Sequence, residues 1–168
     1  MIPEKLANRG MDENRAAQRQ AIKIFGEKRH DLEAFARTSG LHKVLILEDD
    51  MNFSCIVREY FEAWGFSVTC VQDGVDGIKR VIHEDFSIIL CDMLMPNLAG
   101  DMFYKAVERV KPKQCQRFIF MTGNHNDKKI TDFIREVRGV IIWKPFKMHI
   151  LHEAVQAIEK KYGLVVKK

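Results

Sequence analysis

The chain has 168 residues, of which 46% are hydrophobic and 30% charged, and 27 Lys and Arg against 23 Asp and Glu leave a net charge of +4. That length holds one domain with a real core plus a modest appendage, and the balance excludes a disordered or fibrous polymer. No apolar run approaches the length that crosses a bilayer, and basic residues form no long run apart from Lys160-Lys161 and Lys167-Lys168, so neither a membrane span nor a nucleic-acid surface is indicated.

In chain order, the start (Met1-Ile2-Pro3-Glu4-Lys5) lacks the apolar stretch of a signal peptide. Residues 1–40 read as a helical extension. Residues 11–37 are rich in Ala, Gln, Glu, Lys and Arg, which favour helix. Ala21, Ile24, Phe25, Leu32 and Phe35 approximate an apolar stripe at helical spacing, interrupted by Lys28 and Asp31, and Thr38-Ser39-Gly40 ends it. Such a helix packs on the domain or on a second copy, giving a homodimer; a frayed leader is the alternative.

Residues 41–168 form the second unit. Apolar strand-like runs begin near 43, 66, 86, 117 and 139, and helical stretches lie near 52–64, 74–83, 100–110, 127–137 and 147–161. Five such β–α units predict an α/β fold: a five-stranded parallel sheet flanked by helices on both faces, doubly wound and flavodoxin-like. Gly65 ends the first helix, Asp73-Gly74 opens the second, Pro96 and Gly100 bracket the loop after the third strand, and Gly139 closes the fourth helix. Only residues 164–168 follow the fifth helix, so no DNA-binding output domain is expected.

The first helix carries Phe53, Ile56, Val57, Tyr60, Phe61 and Trp64, more than one narrow stripe; wide burial against the sheet and a neighbouring helix, or an exposed docking patch, would account for it. Cys55, Cys70, Cys91 and Cys115 show no metal-binding spacing, and scattered thiols fit a reducing cytoplasm. The six histidines look like surface residues, none beside an acidic cluster.

Chemistry-bearing side chains fall at the ends of four strand-like runs: Glu48 and Asp49 after Val44-Leu45-Ile46-Leu47, Asp92 after Ile88-Ile89-Leu90-Cys91, Thr122 after Phe118-Ile119-Phe120-Met121, and Lys144 after Val140-Ile141-Ile142-Trp143. In an open parallel sheet the strand C-termini share one edge, where ligands bind. Three acids there make a hard-oxygen site suited to Mg²⁺, while a lysine and a hydroxyl suit a phosphoryl group. A carboxylate at such a place can attack phosphorus and form an acyl phosphate.

These pieces (Leu47-Glu48-Asp49-Asp50, Cys91-Asp92 through Met95-Pro96 to Gly100, Met121-Thr122-Gly123 and Trp143-Lys144-Pro145-Phe146) resemble the receiver domain of response regulators over about residues 42–162. The resemblance implies that Asp92 is the phosphoacceptor. Mg²⁺ would be held by Glu48, Asp49, Asp92 and the backbone carbonyl of Leu94, with Thr122 and Lys144 on the phosphoryl group and a cis peptide before Pro145. Asp50 would cap the first helix. The implied donor is a histidine kinase or histidine phosphotransfer protein, and a downstream protein reads the signal. Apolar Leu94, two residues past Asp92, would hinder attacking water and slow dephosphorylation. One departure stands out: Ile141 occupies a position, three before the lysine, where many receivers carry a switching aromatic. The competing reading is an aspartyl-phosphate phosphatase or phosphotransferase on a related fold, which often uses a second acid where this chain has Leu94.

Overall fold

A computed structural model of the chain describes residues 42–162. The expected helical extension over residues 1–40 lies outside the described residues. The elements are β1 (Lys43–Leu47), α1 (Met51–Ala63), β2 (Ser67–Val71), α2 (Gly74–His83), β3 (Ile88–Asp92), α3 (Gly100–Val110), a 3₁₀ helix (Pro112–Arg117), β4 (Phe118–Thr122), α4 (Lys128–Glu136), β5 (Val140–Trp143) and α5 (Met148–Tyr162). The strands form one parallel sheet in the order β2-β1-β3-β4-β5. This is the expected five-stranded flavodoxin-like architecture.

Strand position explains strand composition. All residues of β3 and β4 are buried, whereas the edge strands β2 and β5 are mostly half-exposed. Central strands covered on both faces therefore read as continuous apolar runs. Alternate side chains divide between two cores. Leu45, Leu47, Ile89 and Phe120 pack with Phe103 of α3 and Ile134 of α4, while Val44, Ile46, Leu90 and Met121 pack with Phe61 of α1 and Leu151 and Val155 of α5. Removing one of the fully buried phenylalanines, such as Phe120, costs about 3–5 kcal/mol by the usual large-to-small penalty.

Helix ends follow from local chemistry. Asp50 accepts from the amides of Asn52 and Phe53, and Asp73 accepts from those of Val75 and Asp76, so both are N-caps. The α1 C-terminus closes through Phe66 N–H to the Phe61 carbonyl at 3.1 Å, with Gly65 left-handed at φ 81°. At α4 the left-handed residue is Arg138 (φ 52°), one place before the glycine expected to close the helix. Gly139 is small for another reason: a Cβ there would stand 2.5 Å from the Phe120 ring.

The sheet order reverses between β1 and β3, and their C-terminal ends flank that reversal. Crevices of this kind hold ligands in open parallel sheets.

Candidate functional site

Glu48 follows β1 directly, and Asp92 and Thr122 are the last residues of β3 and β4 rather than the first beyond them. Lys144 follows β5. Its Nζ lies 2.6 Å from Glu48 Oε2 and 2.6 Å from Asp92 Oδ2, joining groups 96 and 52 residues away in sequence. Carboxylate oxygens of Glu48, Asp49 and Asp92 lie within 4.8 Å of one another. Glu48 and Asp92 are buried and Asp49 is exposed, so the cluster has one open side.

Burial pushes the Glu48 carboxyl above its ordinary pKa, and the hydrogen bond and charge of Lys144 offset only part of that push. At Lys144, burial acts downward, but hydrogen bonds and charge from Asp92 and Glu48 together win and hold the ammonium above its usual range. The lysine is thus a fixed cation spanning two acids.

Backbone donors complete the arrangement. Leu94 N–H donates to Asp92 Oδ1 at 3.0 Å, and Asp50 N–H donates to Glu48 Oε1 at 3.3 Å. Thr122 is fully buried; its hydroxyl oxygen accepts from Asn124 N–H at 3.2 Å, and its carbonyl accepts from Lys144 N–H at 2.8 Å. The Lys144–Pro145 bond is cis. The side chain of Leu94 is about half exposed at the open side, at 51%.

Several contributors escaped the sequence reading. Lys144 Nζ stands 4.8 Å from the Phe53 ring centroid, a cation–π contact from the first turn of α1. Phe53 in turn meets Phe146 edge-on at 5.6 Å, so the α1 aromatics are shared between the sheet face, α5 and the site. The expectation that the histidines are surface residues holds for His83, His125 and His149, which are exposed, while His30 lies outside the described residues. Two are half-buried: His42 packs on Phe66 and bonds Ser87, and His152 lies 4.4 Å from Trp64. Each is drawn in by an aromatic partner distant in sequence, a signal no local pattern carries.

Three carboxylates and a bound ammonium are hard-oxygen and cationic groups; they suit a divalent metal and a phosphoryl oxyanion, and no apolar ligand. Among the described residues no helix is long and apolar enough to cross a membrane.

The family described as response regulator receiver domain matches residues 44–156. The chain is 33% identical over 103 residues to transcription factor SKN7 of Candida albicans, covering 61% of this chain and 18% of that protein. It is 27% identical over 120 residues to transcriptional regulatory protein RprY of Bacteroides fragilis, covering 71% of this chain and 50% of that one. The chain therefore spans half or less of the length of these curated relatives. Among solved structures, chemotaxis protein CheY4 of Vibrio cholerae superposes with a TM-score of 0.64 at 22% identity, covering 71% of this chain and 99% of that one. The receiver domain of sensor histidine kinase PA1611 from Pseudomonas aeruginosa, solved with magnesium in its active-site cleft, gives 0.62 at 21% identity, covering 70% and 97%. Sequence match, sheet order and strand-end acids agree: the chain belongs to the response regulator receiver domain family of two-component signalling.

Proposed function

We propose that Asp92 accepts a phosphoryl group from a histidine of a kinase or phosphotransfer protein, and that the resulting acyl phosphate controls binding of a downstream protein. The observation that carries this reading is the double contact of Lys144 with Glu48 and Asp92 at 2.6 Å each. In the transfer, an Asp92 carboxylate oxygen forms the new P–O bond as the P–N bond to the donor imidazole breaks, and the imidazole nitrogen keeps the electron pair. Lys144 shifts from carboxylate to phosphoryl oxygen, and the Thr122 hydroxyl donates to another. Positioning and charge neutralisation suffice for such a transfer, without a general base.

Glu48, Asp49 and Asp92, with the Leu94 carbonyl, would hold Mg²⁺; their clustering within 4.8 Å supports the fit. When bound, the ion neutralises and orients phosphoryl oxygens. Four free thiols agree with work in a reducing cytoplasm.

Incubation with Mg²⁺ and acetyl phosphate, followed by intact-mass measurement, tests the proposal. One phosphoryl group per chain is expected, lost on Asp92→Asn. Continuous phosphate release over many turnovers would instead indicate an aspartyl-phosphate phosphatase; Leu94, at the place of a second acid, speaks against it. Labelling that survives Asp92→Asn would overturn the assignment.

A further inference from the structure

Away from the phosphorylation edge, α1 and α5 part to leave a groove of about 50 Å³ lined by Tyr60, Trp64, Phe66, His152, Val155 and Glu159. Tyr60 and Trp64 are only half-buried, and they stand 5.5 Å apart as one aromatic surface. Among the described residues the Tyr60 hydroxyl is buried with no hydrogen-bond partner, an arrangement that normally costs stability. Burial also pushes the Glu159 carboxyl upward. Nothing in phosphoryl transfer uses these residues.

The chain itself arrives beside this groove. His42 packs on Phe66 at 5.8 Å, and Phe66 is part of the groove wall. Both precede strands, so the groove lies towards the N-terminal edge of the sheet, opposite Asp92. The segment before His42 carries Ala21, Ile24, Phe25, Leu32 and Phe35 at helical spacing. As a helix, residues 21–35 would extend about 22 Å, against roughly 20 Å for α1. Residues 36–41 can span up to about 20 Å, enough to reverse direction at His42. Lys23, Lys28 and Arg29 would also approach an acidic group, since Glu62 is exposed along α1.

We infer that residues 20–37 of the same chain dock as an amphipathic helix in the α1–α5 groove, with Phe25 and Leu32 against Tyr60 and Trp64. Hydrogen exchange on the full chain, read by mass spectrometry, tests this. Amides of 20–37 should exchange at least about tenfold slower than an unstructured peptide, the mark of a protected segment. Phe25→Glu with Leu32→Glu should abolish that protection and speed exchange at Tyr60–Phe66 and His152–Glu159, while β1 stays protected. Trp64→Ala should release the segment from the other side. The segment substitutions lie outside the domain core, so they remain informative even if Trp64→Ala unfolds the domain. Unprotected 20–37 in the wild type, or release without change at α1 and α5, overturns the docking. So does protection that persists in folded Trp64→Ala. Light scattering should report a monomer; a dimer whose segment protection falls on dilution assigns the helix to a second copy and overturns docking within one chain.

Discussion

The ring of His125 lies nearly parallel to that of Trp143, with centroids 4.5 Å apart and planes 21° from alignment. Trp143 is the register partner of Thr122, whose hydroxyl holds the amide of Asn124, the residue before His125. A Thr122 hydroxyl that turns to a phosphoryl group changes this local network, and His125 should shift on Trp143. This offers a readout on β5 even though Ile141 is aliphatic. In a Trp64→Phe chain, where Trp143 is the remaining tryptophan, beryllofluoride with Mg²⁺ should change the emission intensity. The change should shrink in His125→Ala and vanish in Thr122→Ala. An unchanged spectrum in a fully labelled sample would rule the readout out.

Lys144→Met leaves Glu48 and Asp92 as buried acids with no cation between them. Breaking a buried pair costs about 3–5 kcal/mol, and Lys144 keeps 21% side-chain exposure, so about 3 kcal/mol is expected here. Urea melts in EDTA should show that loss. Added Mg²⁺ should restore more stability to Lys144→Met than to the wild type, since the ion substitutes for the missing charge.

Leu94→Asn places a polar amide at the open side of the acids. Loss of acyl phosphate should accelerate about tenfold, equivalent to roughly 1.4 kcal/mol of barrier. Equal decay rates in the two chains would show that the apolar side chain does not restrict water.

Gly100 touches the site through backbone. A Cβ there would stand 2.6 Å from the Asp92 carbonyl oxygen and 2.9 Å from Met93 Cα, neither of which can rotate away. Gly100→Ala should destabilise by about 1–3 kcal/mol through overpacking and slow phosphorylation by displacing Asp92. Thermal melts and labelling rates separate the two effects.

Glu159 is an acid whose folded pKa lies above its ordinary 4.5 because of burial. The folded state then holds the proton more tightly, so its contribution favours folding below the ordinary value and declines as pH rises through the folded one. Glu159→Gln should therefore raise Tm at pH 7, with the gain shrinking as pH falls and absent below about pH 4. A gain that is constant with pH would point to packing rather than charge.

Much of this was legible because β1, β3 and β4 are covered on both faces, which writes them into the chain as unbroken apolar runs ending in Glu48, Asp92 and Thr122. Asp50 and Asp73 announced their helices because a cap is a local bond over two or three residues. The 3₁₀ helix over Pro112–Arg117 was missed; six residues with Gln114 as the buried one show no apolar period. Arg138, not Gly139, takes the left-handed turn, and only the Phe120 ring, far off in sequence, explains why glycine follows. The Phe53 contact with Lys144 was equally hidden, since it depends on where α1 is laid across the sheet.

That placement of α1 has a consequence of its own. One short helix carries Phe53 against the site lysine at its start and ends beside Trp64 in the groove wall. Any coupling between the proposed docking and the proposed phosphorylation would run along this one helix, with no relay of intervening elements. Thermodynamic reciprocity then fixes the sign in both directions: whatever factor groove occupancy imposes on phosphoryl affinity, phosphorylation must impose on the groove.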